Sequence, residues 1–173
     1  MTLRLIFVRH GLSSFNQEGR IQGRNDLSIL TKEGQLQAEA AGKTISSIPI
    51  DAIYSSPLQR ASETTKIIID QHQSNLQATY TDELLEVDLG PWSGLTKNEI
   101  KNHFPKEHAI WKKEPKELTI DRDDGTKFQP IKELLYQAEN FLKNLFNAHS
   151  GSNKTILIVA HNAILRCLIL KLI

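Results

Sequence analysis

The apolar run "LRLIFV" stops on two adjacent basic side chains, Arg9 and His10, and a second run, "TILIVA", stops on His161. Arg60 stands three residues after Pro57, just past the short stretch "DAIYSS". Guanidinium groups offer forked donors that match phosphate oxygens, and helix N-termini add backbone N–H groups. Arg9, His10, Arg60 and His161, if brought together, would hold a tetrahedral anion such as phosphate. Neighbouring positive charge disfavours protonated imidazole, so a neutral His10 would present a ring nitrogen able to attack phosphorus. The other donors would then stabilise charge on the equatorial oxygens during in-line transfer. A departing alkoxide also needs a proton. The loop "DELLEVDLG" supplies three acids for that task, Glu83, Glu86 and Asp88, and a carboxyl beside an anionic phosphate has a raised pKa.

These residues meet only if the strand ends meet. Leu3 to Val8, apolar except for Arg4, suits a strand covered on both faces. Residues 9–30, with Gly11, Asn16, Gly19, Gly23 and Asn25, predict a long loop or broken helix, and loops of that length in compact domains tend to be functional. Thr31 caps a helix whose inward stripe reads Leu36, Ala40, Thr44 and Ile45; Pro49 ends it. Residues 51–56 form a second strand, and Pro57 opens a helix that turns Leu58, Ala61, Thr65 and Ile68 inward. "LQATY" is a third strand. Thr96 and Glu99 have capping-box spacing for a short helix that Pro105 stops, and residues 105–128 read as a surface excursion. From Pro130 the apolar residues Ile131, Leu134, Leu135, Ala138, Phe141, Leu142 and Leu145 keep helical spacing. "KTILIVA" is a fourth strand, and Ala163 to Ile173 a final helix. Strands alternating with helices predict an α/β three-layer sandwich, a mostly parallel sheet with helices on both faces. Ligands of such sheets bind at the carboxyl ends of the strands, where all four basic residues fall.

Composition narrows the function classes. The chain has 173 residues, enough for one domain with a sizeable core, and 39% hydrophobic and 24% charged residues, as in an ordinary globular protein. A formal net charge of +1 gives no global field for nucleic acid or an anionic membrane, so anion recognition has to be local. The single cysteine, Cys167, precludes an internal disulfide and reads as core filling. No apolar stretch reaches the ~18 residues of a membrane span, and the start is too quickly basic for a signal peptide. The expectation is a cytoplasmic chain. It is a single domain over residues 1–173, expected to be truncated at the C-terminus because an apolar helix runs to Ile173 without a cap. Trp92 is expected to pack beneath the acid loop. Arg20, Arg24 and Lys97 are candidates to steer anions at the mouth of the site, with solvated charge as the default reading, and His72, His103, His108 and His149 are expected to be solvated.

Five elements stand in an order that resembles the histidine phosphatase superfamily, in its phosphoglycerate mutase-like branch: "VRHG" with Asn16, "QGRND", "SSPLQRASET", "ELLEVDLGPWSG" and "VAHN". The resemblance runs from residue 3 to about residue 170. It implies that His10 accepts the phosphoryl group, that Arg9, Arg60 and His161 bind it, and that Glu86, rather than Glu83, is the proton donor. It also implies that Asn16, Gln22, Gly23 and the backbone at Asn162 line the phosphate pocket, and that no metal is used. The implied activity is hydrolysis of phosphomonoesters of small metabolites through phosphohistidine. The alternatives are a phosphoglycerate mutase, which alone would use 2,3-bisphosphoglycerate as cofactor, and a phosphate-binding module without turnover. Departures from the family pattern are "DLSILT", which lacks a proline, and Asn162–Ala163, where small glycines are common.

Overall fold

Strand β6 (Lys154–Ala160) runs through the middle of the protein, paired on one side with β1 (Leu3–Arg9) and on the other with β2 (Ala52–Ser55). The short β3 (Ala78–Tyr80) pairs with β2, so the main sheet has the order β1-β6-β2-β3 with every pairing parallel. The computed structural model describes residues 2–72, 75–122, 124–151 and 153–173. Every residue from Ile156 to Ala160 is buried, as the unbroken apolar run requires of a strand covered on both faces. Ile156, Ile158 and Ala160 enter one core; Leu157 and Val159 enter the other. The first core is closed by α6 (Pro130–Ala148), through Leu134, Ala138, Phe141, Leu142 and Leu145, and by α7 (Asn162–Leu172), through Ile164, Leu165, Cys167 and Leu168. The second is closed by Ile45 of α2 (Lys32–Ile45) and Ile68 of α3 (Gln59–His72). The α/β sandwich expected from the alternation of elements is the fold observed.

Two parts of the local reading need correction. In α2 the buried residues are Gly34, Ala38, Gly42 and Ile45, whereas Leu36 is 51% exposed. The α2–α3 contact is close packing of backbones, which small residues permit and a leucine stripe would prevent: a Cβ on Gly42 would lie 2.7 Å from the Cβ of Gln71. The excursion between α4 (Lys97–His103, with the capping box of Thr96 and Glu99) and α6 is also more ordered than its polarity suggested. Pro105 stops α4 but is also the first residue of α5 (Pro105–Lys113), where its fixed φ suits a helix start. An antiparallel pair follows, β4 (Ile120–Asp121) with β5 (Lys127–Phe128), and plants Leu118, Ile120 and Phe128 in the first core. Asp123, in the same stretch, lies outside the described residues.

The residues after β1 form a loop broken by a single turn of helix, α1 (Ser14–Gln17), and pass hard against the start of α2. A Cβ on Gly11 would lie 2.2 Å from the carbonyl oxygen of Gly34, and one on Gly34 would lie 2.1 Å from that of Leu12. Both neighbours are backbone, so no rotamer change relieves the clash. Helix propensity alone predicts that Gly34→Ala stabilises by about 1 kcal/mol. Overpacking of this kind costs about 1–3 kcal/mol or more and acts in the opposite direction. Urea denaturation should show Gly34→Ala losing stability; a gain would mean the loop does not depend on this approach.

Candidate active site

His10 follows β1 directly. Its backbone N–H extends the β1–β6 ladder by donating to the Ala160 carbonyl at 3.0 Å, which fixes where the ring starts. Only 6% of the residue is exposed. Nδ1 lies 2.8 Å from the carbonyl oxygen of Gly11. A carbonyl only accepts, so Nδ1 carries the proton and Nε2 keeps its lone pair. The next peptide is tied to α3, where the Gly11 N–H donates to Thr64 Oγ1 at 3.1 Å and that hydroxyl donates to the Arg60 carbonyl at 2.7 Å.

Arg60 sits in the first turn of α3 and is fully buried. Its Nη1 and Nη2 donate to the carbonyls of Asn25 and Gly23, both at 2.9 Å, while Nε has no hydrogen-bond partner. His161 follows β6 directly, as the N-cap residue of α7, and is also fully buried. Its Nε2 is 2.7 Å from Ser56 Oγ, its Nδ1 is unpartnered, and its ring centroid is 5.2 Å from that of His10. Two polar nitrogens without partners in one cluster are unusual in a protein interior, where polar groups are nearly always bonded. Arg9 is exposed and reaches the same cavity from the end of β1.

Glu86 faces this cluster from the loop after β3. Its carboxylate accepts from its neighbour Val87 N–H at 2.9 Å and from the Ala163 and Ile164 N–H groups at 3.1 and 3.3 Å, in the first turn of α7. The other two acids point elsewhere: Glu83 accepts from Asn144 Nδ2 at 2.8 Å, and Asp88 from the Gly90 N–H at 2.9 Å. Of the three, only Glu86 shares a cavity with His10.

That cavity measures about 190 Å³, and Arg9, His10, Asn16, Gln22, Gly23, Arg60, Glu86 and Asn162 all line it. Ser13 Oγ lies 2.9 Å from both Asn16 Oδ1 and Gln22 Oε1, and its single proton can be donated to only one of them at a time. Gly23 has a φ of +51°, and a Cβ there would lie 2.6 Å from Ser93 Oγ. Trp111 of α5 also lines the cavity and stacks edge-on against Trp92, which is buried beneath as expected. Sequence reasoning missed Trp111; the available signal was an indole beside Ile110 in a helix otherwise rich in charged residues. Arg20, expected to be solvated, lines the cavity while donating to Glu18 and the Gly94 carbonyl. Arg24 donates to the Glu86 carbonyl. His72 and His149 are not simply solvated: His72 bonds the Ile48 carbonyl and His149 the Tyr54 hydroxyl.

The family model of the histidine phosphatase superfamily, branch 1, matches residues 5–173. The chain belongs to that superfamily. A 2-carboxy-D-arabinitol-1-phosphatase of Triticum aestivum is 36% identical over 166 residues, which is 96% of this chain and 32% of that protein. The chain spans about a third of the length of the first curated relatives it matches. A 2,3-bisphosphoglycerate-dependent phosphoglycerate mutase of Bartonella henselae is 32% identical, over 99% of this chain and 82% of the mutase. Among solved structures, Bacillus stearothermophilus YhfR superposes with a TM-score of 0.84 at 30% identity, covering 98% of this chain and 79% of that one. Among the described residues no helix is long and apolar enough to cross a membrane, and no cluster of His, Cys, Asp and Glu could hold a metal ion.

The electrostatics follow from burial. Desolvation, with the charges of Arg60 and Arg9 and against the Gly11 carbonyl, lowers the His10 pKa from 6.5 to about 4. Burial and the same arginines hold His161 well below its ordinary value. Burial raises Glu86, against three backbone N–H groups and Arg60. It lowers Arg60, against Glu86 and Asp26, though a guanidinium remains charged. Because the unfolded chain takes up the His10 proton first, folding stability declines as pH falls from 6.5 toward about 4. In phosphate-free buffer, ¹⁵N-histidine NMR should show the His10 ring as the Nδ1–H tautomer with a titration midpoint at about 4. A midpoint at 6.5 would mean that the ring is open to water.

Proposed function

We propose that the chain is a phosphomonoester hydrolase that works through a phosphohistidine. One observation carries this reading: a buried imidazole with a free Nε2 lone pair and an acid with a raised pKa share a cavity lined by three arginines, Arg9, Arg20 and Arg60. Nε2 of His10 attacks phosphorus, forming an N–P bond as the bond to the ester oxygen breaks. Glu86 delivers its proton to that oxygen, so the substrate leaves as an alcohol. Arg9, Arg60 and His161 hold the phosphoryl oxygens, with Asn16, Gln22 and the backbone at Gly23 and Asn162 completing the pocket. Charge developing on those oxygens finds donors that are already oriented. In the second half, Glu86, now ionised, takes a proton from water as the water oxygen displaces His10 and releases inorganic phosphate.

The substrate is a small phosphorylated metabolite, in keeping with the phosphatase and the mutase among the relatives and with a cavity of about 190 Å³. A mutase would use the same phosphohistidine but would have to shield it from water until it returned to substrate. Here the segment between Trp92 and α6 is two short helices, a 3₁₀ turn and one small hairpin. That compactness favours hydrolysis. A pure binding module would need neither His10 nor Glu86.

Rapid quench with a ³²P-labelled phosphomonoester should trap acid-labile, base-stable label on His10. His10→Ala should abolish the label and lower turnover about a thousandfold or more. Turnover retained by His10→Ala would refute the mechanism. With 3-phosphoglycerate, free phosphate indicates the hydrolase and 2-phosphoglycerate the mutase.

A further inference from the structure

A second set of side chains, outside the cavity that holds His10, grips the acid loop. Gln137 lies on α6, between Leu134 and Ala138, both buried in the core, so its backbone is fixed by the best-packed helix of the fold. Its Nε2 donates to the carbonyls of Glu83, at 3.0 Å, and Leu85, at 2.8 Å. Its Oε1 accepts from Arg24 Nη2 at 2.9 Å. Two partners that only accept and one that only donates leave a single possible orientation for the amide. Arg24 in turn donates through Nε to the Glu86 carbonyl at 3.1 Å. Three backbone carbonyls of the acid loop, those of Glu83, Leu85 and Glu86, are thus held by two side chains from other parts of the chain.

The grip extends to the phosphate side. Gly23 and Asn25, which flank Arg24, give their carbonyls to the two Nη atoms of Arg60. The arginine of the anion cluster and the peptide carrying the acid are therefore joined through three consecutive residues. We infer that Gln137, acting with Arg24, is a positioning residue that sets where the Glu86 carboxyl stands relative to His10 Nε2. The inference rests on Glu86 being the proton donor of the proposed reaction. The apolar anchors of the loop, Leu84, Val87 and Leu89, hold its depth in the core. They do not bond the peptides on either side of Glu86, and proton transfer is sensitive to displacements that packing tolerates, with about 1 Å of misplacement costing roughly a hundredfold.

A misplaced acid has a distinctive signature, because only poor leaving groups need the proton. Phosphorylation of His10 is measured in single turnover with a series running from alkyl phosphates to nitrophenyl phosphate. Gln137→Met, close in volume and without hydrogen bonds, should slow the alkyl esters by about ten- to a hundredfold while nitrophenyl phosphate changes by less than about twofold. Inhibition by inorganic phosphate should be unchanged. Arg24→Met, at an exposed side chain, should show the same selective loss and decides the matter if Gln137→Met does not fold. Equal loss across the series in the folded variants, or no loss, overturns the inference. Glu86→Gln separates the two levels of the argument. If it too lacks leaving-group selectivity, Glu86 is not the acid and both readings fall. If Glu86→Gln is selective and the other two variants are not, only the role of Gln137 and Arg24 falls.

Discussion

The structure depends on a buried positive charge with no carboxylate bound to it. Arg60 is fully buried, bonds two backbone carbonyls and leaves Nε without a partner. Burying an ion without a partner costs several kcal/mol, and here the compensation within the protein comes from carbonyl dipoles and the nearby charges of Glu86 and Asp26. A site that carries such a cost in its own fold is poised to gain from an anion. The low pKa values of His10 and His161 come first from burial of the imidazoles themselves, and Arg60 and Arg9 push both further in the same direction. Two neutral imidazoles beside two guanidiniums leave the cluster cationic but keep a nucleophilic nitrogen available.

Glu86 is held on the opposite principle. Its carboxylate sits on the first turn of α7, where backbone N–H groups favour the ionised form, yet burial outweighs them and moves the pKa upward. The two ionisable partners are thus pushed apart, the base downward and the acid upward, each mainly by loss of water. One small cavity produces both shifts. The fold that creates it is inexpensive to specify: three strand ends and two helix starts on one edge of a parallel sheet.

Much of this half was legible in the sequence because it is written in periodicity and punctuation. Apolar runs that end on Arg9 and His161 mark strands by composition and their ends by charge. Thr31 and Thr96 mark helix starts by capping, and the spacing from Ile131 to Leu145 marks α6. What was not legible depends on contacts between distant segments. The inward face of α2 was misread because Gly34 and Gly42 look neutral in a hydrophobic pattern, although their lack of a side chain is what brings the backbones together. The order in residues 105–128 was missed because Leu118, Ile120 and Phe128 are scattered among charges and show their purpose only against the core they enter. The choice of Glu86 over Glu83 and Asp88 needed either the family resemblance or coordinates. Along the chain the three acids are equivalent, and only the neighbours Asn144, Gly90 and Ala163 tell them apart.

The line between legible and illegible residues also divides the cavity by task. The wall that carries Arg9, His10 and Arg60 is built from strand ends and helix starts, whose geometry varies little once the sheet forms. The opposite wall is built from Trp111 of α5 and from the acid loop, elements attached to the core by a few apolar anchors and by side-chain hydrogen bonds. On the proposed reaction, chemistry common to every phosphomonoester would fall on the first wall, and contacts that depend on the departing group would fall on the second. Substitutions at the exposed positions of the second wall leave the sheet in place, so selectivity could change there without rebuilding the strand end that carries His10. On the proposed reaction, the part that would recognise phosphate is locked to the fold and the part that would meet the rest of the substrate is not, in keeping with both a phosphatase and a mutase standing among the relatives of this chain.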